Sequence, residues 1–358
     1  MTDANRHGLS RYIPADVRRV VRQRSKFGCV ICRRGFYQYE HIDPPFEDAK
    51  AHDPDRICCL CGSCHDSVTR GHLSKAKVNA AYRAIQTKPP EEVSPPVGPL
   101  DFHDGSAELM IGGLLYSPAV QTVLRYHGVD LIRVIPGRQG EPGRISAVFT
   151  DEDGRQVLQL VENEWVGVLE NWDIEVVGQR ITVRRRHGEV ALQLRLDPPS
   201  RIVVERIDMR IADGHVLATE QTYAVGRHIT DGSVHWVHAG IRIRRCSSLG
   251  AAIEFADVES LQIRDERFRG TGQELATRDW QIVVNSDAGV MVKPLGIVIA
   301  SLCGAFDLLE LAVGNQPLDE MRRVMLSHPD ELCRFISTSK TAEPSATADR
   351  GRKADPGS

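Results

Sequence analysis

Two Cys-x-x-Cys pairs constrain the fold of this chain more than any other feature. The pairs are Cys29–Cys32 and Cys61–Cys64, and 28 residues separate them. Four thiolates in two such pairs can close a tetrahedral shell on Zn²⁺, and a closed shell makes a structural site. Six of the nine cysteines fall within 36 residues, which indicates metal binding rather than disulfides in a chain without an export signal. We therefore predict a structural zinc ion; reduced, unliganded cysteines are the alternative.

The composition and the chain's apolar runs limit the class of protein. The first twelve residues, MTDANRHGLSRY, are polar and contain no apolar segment of the kind that directs export. The longest nearly uncharged apolar run, residues 296–306, is about half the ~20 residues that a spanning helix needs. An apolar content of 41% is sufficient for a folded core. The sequence therefore predicts a cytoplasmic, soluble protein with no membrane partner.

Charge is distributed unevenly along the chain. Residues 1–88 carry 16 Lys and Arg against 9 Asp and Glu, whereas the remaining residues carry 29 against 39. A short basic segment on a larger acidic body indicates an anionic partner for the N-terminal part. Seven cations form the candidate nucleic-acid contact set, with a solvated surface as the alternative: Arg18, Arg19, Arg22, Arg24, Lys26, Arg33 and Arg34.

Helix and linker signals organise the first hundred residues. A first helix is predicted to start around Pro14 and to stop at Gly28. A second is predicted from Lys75 to about Gln86, with Ser74 as its N-cap. Five prolines in residues 88–99 indicate a stiff, extended linker that separates two domains.

The rest of the chain has the texture of a β protein. Short alternating or β-branched runs, punctuated by Gly, Asp and Pro, predict many antiparallel strands. A sandwich or roll is favoured, and a β-solenoid is the alternative. We expect a helical end over residues 296–336 and a disordered tail at 337–358. The predicted fold class is thus multidomain α+β, with a small zinc-stapled domain at 1–87, the linker at 88–99 and a large mainly-β domain at 100–336.

Further chemically suggestive residues lie between and just after the cysteine pairs. Glu40 and His41 precede an Asp-Pro-Pro turn, and His65 directly follows Cys64. Together with the basic helix and the cysteine pairs, this pattern over about residues 11–85 resembles the HNH endonucleases, which belong to the ββα-metal (His-Me finger) nucleases. The resemblance implies a ββα-metal domain that hydrolyses phosphodiester bonds in DNA, with zinc as structural support.

The resemblance also implies a role for three residues. His41 matches the general base, Glu40 matches the adjacent acidic position that can bind the catalytic metal, and His65 matches a second ligand of that ion. The ion would be Mg²⁺ or another divalent cation, separate from the zinc. A histidine, with a pKa of about 6.5, suits proton abstraction near neutral pH, and a divalent ion can stabilise charge on the phosphate. A hairpin followed by a helix can bring His41 opposite His65.

One position departs from the family pattern. Where the family has an asparagine that braces the loop carrying the base, this chain has Arg56, next to Asp55. Asp55 could replace the asparagine by accepting a hydrogen bond or by binding metal, whereas an arginine cannot bind metal. Two functions therefore remain open: a DNA endonuclease with a β-rich recognition or regulatory domain, and a catalytically inactive, zinc-finger-like nucleic-acid binder. The expected partner is double-stranded DNA, and a homo-oligomer is left open.

Overall fold

The fold is mainly β, with helices concentrated in the first ninety residues. The computed structural model describes residues 4–100, 102, 107–116, 122–137, 141–228, 233–243, 251–255, 261–262, 273–276, 281–285, 289–293, 297–299 and 306–327. The predicted tail at 337–358 lies outside these residues. The described α-helices are α1 (Ala15–Arg24), α2 (Gly62–Thr69), α3 (Lys75–Thr87) and α4 (Leu318–Ser327).

The strands fall into a short N-terminal pair and a long succession after residue 96. The N-terminal pair is β1 (Gln38–His41) and β2 (Ile57–Leu60). The next strands are β3 (Val97–Pro99), β4 (Glu108–Ile111), β5 (Leu114–Tyr116), β6 (Thr122–Tyr126), β7 (Val129–Ile135), β8 (Arg144–Thr150), β9 (Gln156–Val161), β10 (Glu164–Gly167), β11 (Asp173–Val177), β12 (Arg180–Arg186), β13 (Glu189–Asp197), β14 (Arg201–Ile211), β15 (Gly214–Thr219) and β16 (Tyr223–His228). The last are β17 (Val234–Ile243), β18 (Ala251–Phe255), β19 (Leu261–Gln262), β20 (Gln273–Ala276), β21 (Gln281–Asn285), β22 (Gly289–Lys293), β23 (Ile297–Ile299) and β24 (Phe306–Gln316).

The two helices predicted in the N-terminal part are confirmed. Helix α1 begins directly after Pro14, whose fixed φ suits a helix start, and buries Val21 against the β1–β2 pair. Helix α3 begins after Ser74, whose side chain accepts a hydrogen bond from the Lys77 backbone N–H. Between them, β1 pairs antiparallel with β2, and α2 follows within two residues. The chain thus forms two strands and a helix immediately around the second cysteine pair.

The proline-rich segment is not a free spacer between two domains. Its Val93 is buried in the same apolar cluster as residues of α3, and β3 pairs with β10 of the large β-rich part. Trp165 of β10 is fully buried against Gly35 and Gly98, where a Cβ on either glycine would overlap the indole. Prolines keep much of this segment extended, with one short 3-10 turn at Pro90–Glu92, and its apolar residues pack on both sides. This segment therefore packs against both the N-terminal part and the β-rich part, and the predicted linker at 88–99 does not stand free between them.

The β-rich part is built on two large sheets. One has the strand order β23-β18-β6-β7-β8-β9-β10-β3, and the other runs β11-β12-β13-β14-β15-β16-β17-β24 with β4 and β5 alongside. Most neighbours are consecutive antiparallel strands, the hairpin pattern that the turn signals predicted, rather than the parallel coils of a solenoid. Residues from both sheets, such as Phe149 and Leu192, belong to one buried apolar cluster.

The C-terminal region differs from the predicted helical end. Residues Phe306–Gln316 form β24, which pairs antiparallel with β17, and the described helix there is only α4. The apolar spacing in this stretch is compatible with a helix, but a long partner strand satisfies its backbone hydrogen bonds instead. Helix α4 then packs Met321 and Met325 against Trp236 in a separate cluster.

Candidate functional site

Four cysteine side chains converge as predicted. The sulfur atoms of Cys29, Cys32, Cys61 and Cys64 all lie within 4.8 Å of one another. The Sγ–Sγ distance is 3.5 Å between Cys32 and Cys61 and 3.9 Å between Cys32 and Cys64. Sulfur ligands at about 2.3 Å from a tetrahedral zinc ion lie about 3.8 Å apart. The set therefore has the chemistry and the spacing to hold a metal such as zinc.

Local backbone geometry builds each half of this cluster. The first half is a tight turn in which the Cys29 N–H donates to Arg34 O and the Arg33 N–H donates to Cys29 O, both at 2.9 Å. Arg33 has a φ of 66°, and its guanidinium donates to the carbonyls of Ser25 and Ser94 at 2.9 and 3.0 Å. The second half begins at Cys61, which is the N-cap residue of α2. Turn and helix start thus present their sulfurs to one another.

The thiols of the cluster have unequal acidities. Burial raises the pKa of Cys32 to about 11. Burial also acts to raise the pKa of Cys61, but hydrogen bonds from the Cys64 backbone and from neighbouring thiols bring it below its ordinary value. A bound divalent cation would offset the burial cost of the thiolates, since ligating cysteines must be deprotonated.

Glu40, His65 and Lys75 form a cluster of polar side chains where β1 meets α2 and α3. Glu40 Oε2 is 3.0 Å from His65 Nε2, and Glu40 Oε1 is 2.9 Å from Lys75 Nζ. Lys75 also donates to the main-chain oxygen of His41 at 2.8 Å. Glu40 and His65 were predicted to act together, and the structure brings them into contact. Lys75 was not anticipated, because the first residue of a helix carries no sequence signal for contact with a strand 34 residues earlier.

His41 is directed to the other face of β1. Successive side chains in a strand point to opposite faces, so the ring of His41 lies away from the Glu40 carboxylate. Its Nε2 is 3.2 Å from His52 Nδ1, and its ring packs edge-on against Phe46 with centroids 5.3 Å apart. His41 is 8% exposed, and burial, followed by the nearby His52, lowers its pKa to about 4. The imidazole is therefore neutral at pH 7 and can accept a proton, but it is a weaker base than a histidine with the ordinary pKa of about 6.5.

The candidate residues thus form two groups rather than one. The sequence suggested a direct approach of His41 to His65, but the ring of His65 contacts Glu40 and the ring of His41 contacts His52. Asp55 joins neither group, since it is exposed and forms an ion pair with Arg24. In the described part of the chain, the four cysteines are the only convergent group of three or more potential metal ligands.

Arg56 holds the loop that follows His41. Its Nη1 donates to the main-chain oxygen of Asp43 at 2.8 Å, and its own carbonyl accepts from the Ile42 N–H at 2.8 Å. The Arg56 side chain and carbonyl therefore tie down the loop that follows His41.

Most of the predicted nucleic-acid contact set is engaged inside the protein. Arg22 is 3% exposed, and its Nε and Nη2 donate to both oxygens of Asp173 at 2.8 and 2.7 Å. Its assignment to phosphate contact is wrong, because a buried ion pair already satisfies it. The pattern of alternating Arg residues could not reveal a partner 151 positions away.

The other cations of the set divide into engaged and available residues. Arg19 lies 4.7 Å above the ring of Trp172, and the Arg33 guanidinium donates to main-chain carbonyls, so both already have contacts within the protein. Arg18 stacks on Tyr12 at 5.6 Å. Among the described residues, Lys26 and Arg34 form no ion pair. The available positive charge is therefore smaller than the sequence suggested.

Comparison with protein-family models, with curated proteins and with solved structures gave no match to this chain. Within the described ranges, no helix has both the length and the apolar content that crossing a bilayer requires.

Proposed function

We propose that the N-terminal module, residues 1–87, is a metal-dependent endonuclease of the HNH type that hydrolyses phosphodiester bonds in DNA. The observation that carries this proposal is the Glu40–His65 pair on one face of β1, with the neutral His41 imidazole on the other. Hydrolysis by in-line attack needs a base on one side of the phosphorus and charge stabilisation on the side of the leaving oxygen. In this proposal His41 supplies the base, and an ion held by Glu40 and His65 supplies the charge stabilisation.

The Glu40–His65 pair fits a divalent ion. Two ligands at about 2.1 Å in neighbouring positions of an octahedral ion lie about 3.0 Å apart. Glu40 Oε2 and His65 Nε2 are separated by 3.0 Å. Ions such as Mg²⁺ take few protein ligands and complete their shell with water and substrate phosphate. When bound, the ion would stabilise negative charge on the phosphate and on the leaving oxygen.

His41 and solvent carry the protons that are transferred during hydrolysis. His41 takes a proton from a water molecule, and the water oxygen forms a bond to phosphorus as the bond from phosphorus to the 3′ oxygen breaks. The leaving oxygen takes a proton from solvent, and His41 returns its own to solvent. Lys75 neutralises Glu40 and lies beside the strand end, where a phosphate oxygen would add to its partners. The products would carry a 5′-phosphate and a 3′-hydroxyl, as the family resemblance implies.

The β-rich part is proposed to act as a recognition or regulatory domain. Its β11 contacts α1, and the Tyr37 hydroxyl donates to Ile174 O at 3.1 Å just before β1. A ligand that shifted β11 would therefore act on the strand that carries Glu40 and His41. This contact supports a coupled role better than an independent one.

The test is plasmid cleavage by the purified full-length protein with Mg²⁺ or Mn²⁺. We expect nicked or linear DNA from the wild type and a loss of at least about 100-fold in rate for His41→Ala and for Glu40→Gln. His72→Ala, which changes an exposed histidine of the same module, is the matched control and should cleave normally.

Two outcomes would contradict the proposal. Equal cleavage by wild type and His41→Ala would exclude His41 as the base. No cleavage by either protein with any divalent metal, together with salt-dependent DNA binding that survives His41→Ala, would favour the alternative of an inactive nucleic-acid binder.

A further inference from the structure

His52 connects the candidate base to the main chain. The ring nitrogen Nε2 of His52 is 2.9 Å from the carbonyl oxygen of Ser10, and its Nδ1 is 3.2 Å from His41 Nε2. A carbonyl oxygen can only accept, so His52 Nε2 must carry a proton. In a neutral His52, Nδ1 is then the acceptor, and His41 Nε2 must be the donor. This chain of hydrogen bonds leaves the lone pair of His41 on Nδ1.

The Nδ1 atom of His41 is unpaired and reaches solvent, although the residue as a whole is only 8% exposed. It has no hydrogen-bond partner among the described residues. Within the same ranges, the fully buried side-chain nitrogens without a partner belong to Arg18, Trp165 and Trp236, so His41 Nδ1 is not fully buried. The ring itself is held between Phe46 and His52, each with its centroid 5.3 Å away. A fixed ring with one solvent-accessible lone pair is what a general base requires.

The far end of this hydrogen-bond chain is also fixed. Ser10 pairs with Ala4 in an isolated bridge, which closes the first described residues into a loop. Asn5 anchors that loop, because its Nδ2 donates to the carbonyls of Phe46 and Ala49 at 2.5 and 2.7 Å. The loop that contains Ser10 is therefore anchored to the segment that contains Phe46, whose ring contacts His41.

We propose that His52 is a positioning residue, which holds His41 in the tautomer with its proton on Nε2 and its lone pair on Nδ1 facing water. This inference rests on the proposed nuclease function for its purpose, but not for its geometry. The N-terminal loop around Ser10 then becomes part of the site, since its carbonyl sets the direction of the whole hydrogen-bond chain.

The experiment combines a tautomer measurement with kinetics on the full-length chain. Long-range ¹H–¹⁵N spectra of ¹⁵N-histidine-labelled protein report which ring nitrogen of His41 carries the proton, with His41→Gln used for assignment. We expect a protonated Nε2 and a bare Nδ1 in the wild type, and a mixture of tautomers in His52→Leu. His52→Asn should keep the wild-type tautomer, because its Oδ1 can accept from His41 in place of Nδ1. His72→Leu is the matched control.

Kinetics separate positioning from folding. We expect His52→Leu to lower kcat for DNA cleavage roughly 10- to 100-fold with little change in KM, and His52→Asn to recover most of that loss. A wild-type spectrum with the proton on His41 Nδ1 would overturn the inference, and so would an unchanged tautomer in His52→Leu. If the chain cleaves no nucleic acid, the proposed function fails, yet the spectra still decide whether His52 sets the tautomer.

Discussion

Replacing Asp173 by alanine should destabilise the protein more than removing any exposed ion pair. Asp173 and Arg22 have side-chain exposures of 2% and 3%, and Arg22 contacts both carboxylate oxygens. Burial acts to lower the pKa of Arg22, but the hydrogen bonds to Asp173 and the charges of Asp173, Tyr39 and Tyr37 together raise it, so the guanidinium stays charged. Without Asp173, that charge remains buried beside Glu175 and Tyr39 alone.

Removing one partner of a buried ion pair costs about 3–5 kcal/mol. Because Arg22 keeps Glu175 at 3.0 Å, we take the lower end, about 3 kcal/mol, or roughly a 160-fold change in the folding equilibrium. Urea unfolding followed by tryptophan fluorescence measures this difference, with Trp172 adjacent to the substituted residue. The matched control is Asp153→Ala, which removes an exposed partner of Arg155 and should cost at most about 1 kcal/mol.

A double variant tests the reasoning further. Arg22→Met with Asp173→Leu removes both buried charges, and its stability should return to within about 1–2 kcal/mol of the wild type. Glu175 and Arg184 would still pair with each other, since they are 3.0 Å apart. A loss for Asp173→Ala no larger than that for Asp153→Ala would refute the view that this buried pair fastens the N-terminal module to the β-rich part.

Three further predictions concern the metal sites and the β-rich part. Cys61→Ser should contain no zinc by elemental analysis. The control Cys58→Ala should keep about one zinc per chain, because the Cys58 sulfur lies outside the cluster. Zinc retention by Cys61→Ser would contradict the assignment. Lys75→Met should strengthen Mn²⁺ binding by roughly three- to tenfold in calorimetry, since an ammonium beside Glu40 repels a second cation; unchanged affinity would argue against an ion at Glu40. Burial, followed by His215, lowers the pKa of His228 from 6.5 to about 4, so the unfolded chain binds more protons between these values. The free energy of unfolding should therefore fall as the pH drops from 6.5 to 4, and His228→Gln should reduce that fall by about 1–2 kcal/mol; an identical pH dependence would contradict this.

Features that depend on neighbouring residues could be predicted from the sequence. The four-cysteine cluster follows from two short Cys-x-x-Cys spacings, and helix α3 follows from its Ser74 cap and apolar face. The contact of Glu40 with His65 was also anticipated, although only through the family resemblance. For the cysteine cluster and helix α3, a few local residues carry enough information to specify the geometry.

Features that depend on distant partners could not be predicted. The sequence around Arg22 is typical of a surface helix, because only the fold brings Asp173 into contact with this residue. His52 lies in an irregular loop, and its hydrogen bonds to His41 and Ser10 span 11 and 42 positions. Residues 306–316 form a strand instead of part of the predicted helical end. Pairing with the distant strand β17 decides between helix and strand there, and local sequence does not show that pairing.

The location of the proposed catalytic ion is tested most directly by a crystal structure of the full-length chain grown with Mn²⁺. Anomalous data collected at the zinc edge and at longer wavelength distinguish the two metals. We predict a zinc peak among the four cysteine sulfurs and a separate manganese peak bonded to Glu40 and His65. The absence of a manganese peak, with Glu40 still paired to His65 and Lys75 at saturating Mn²⁺, would contradict the proposed mechanism.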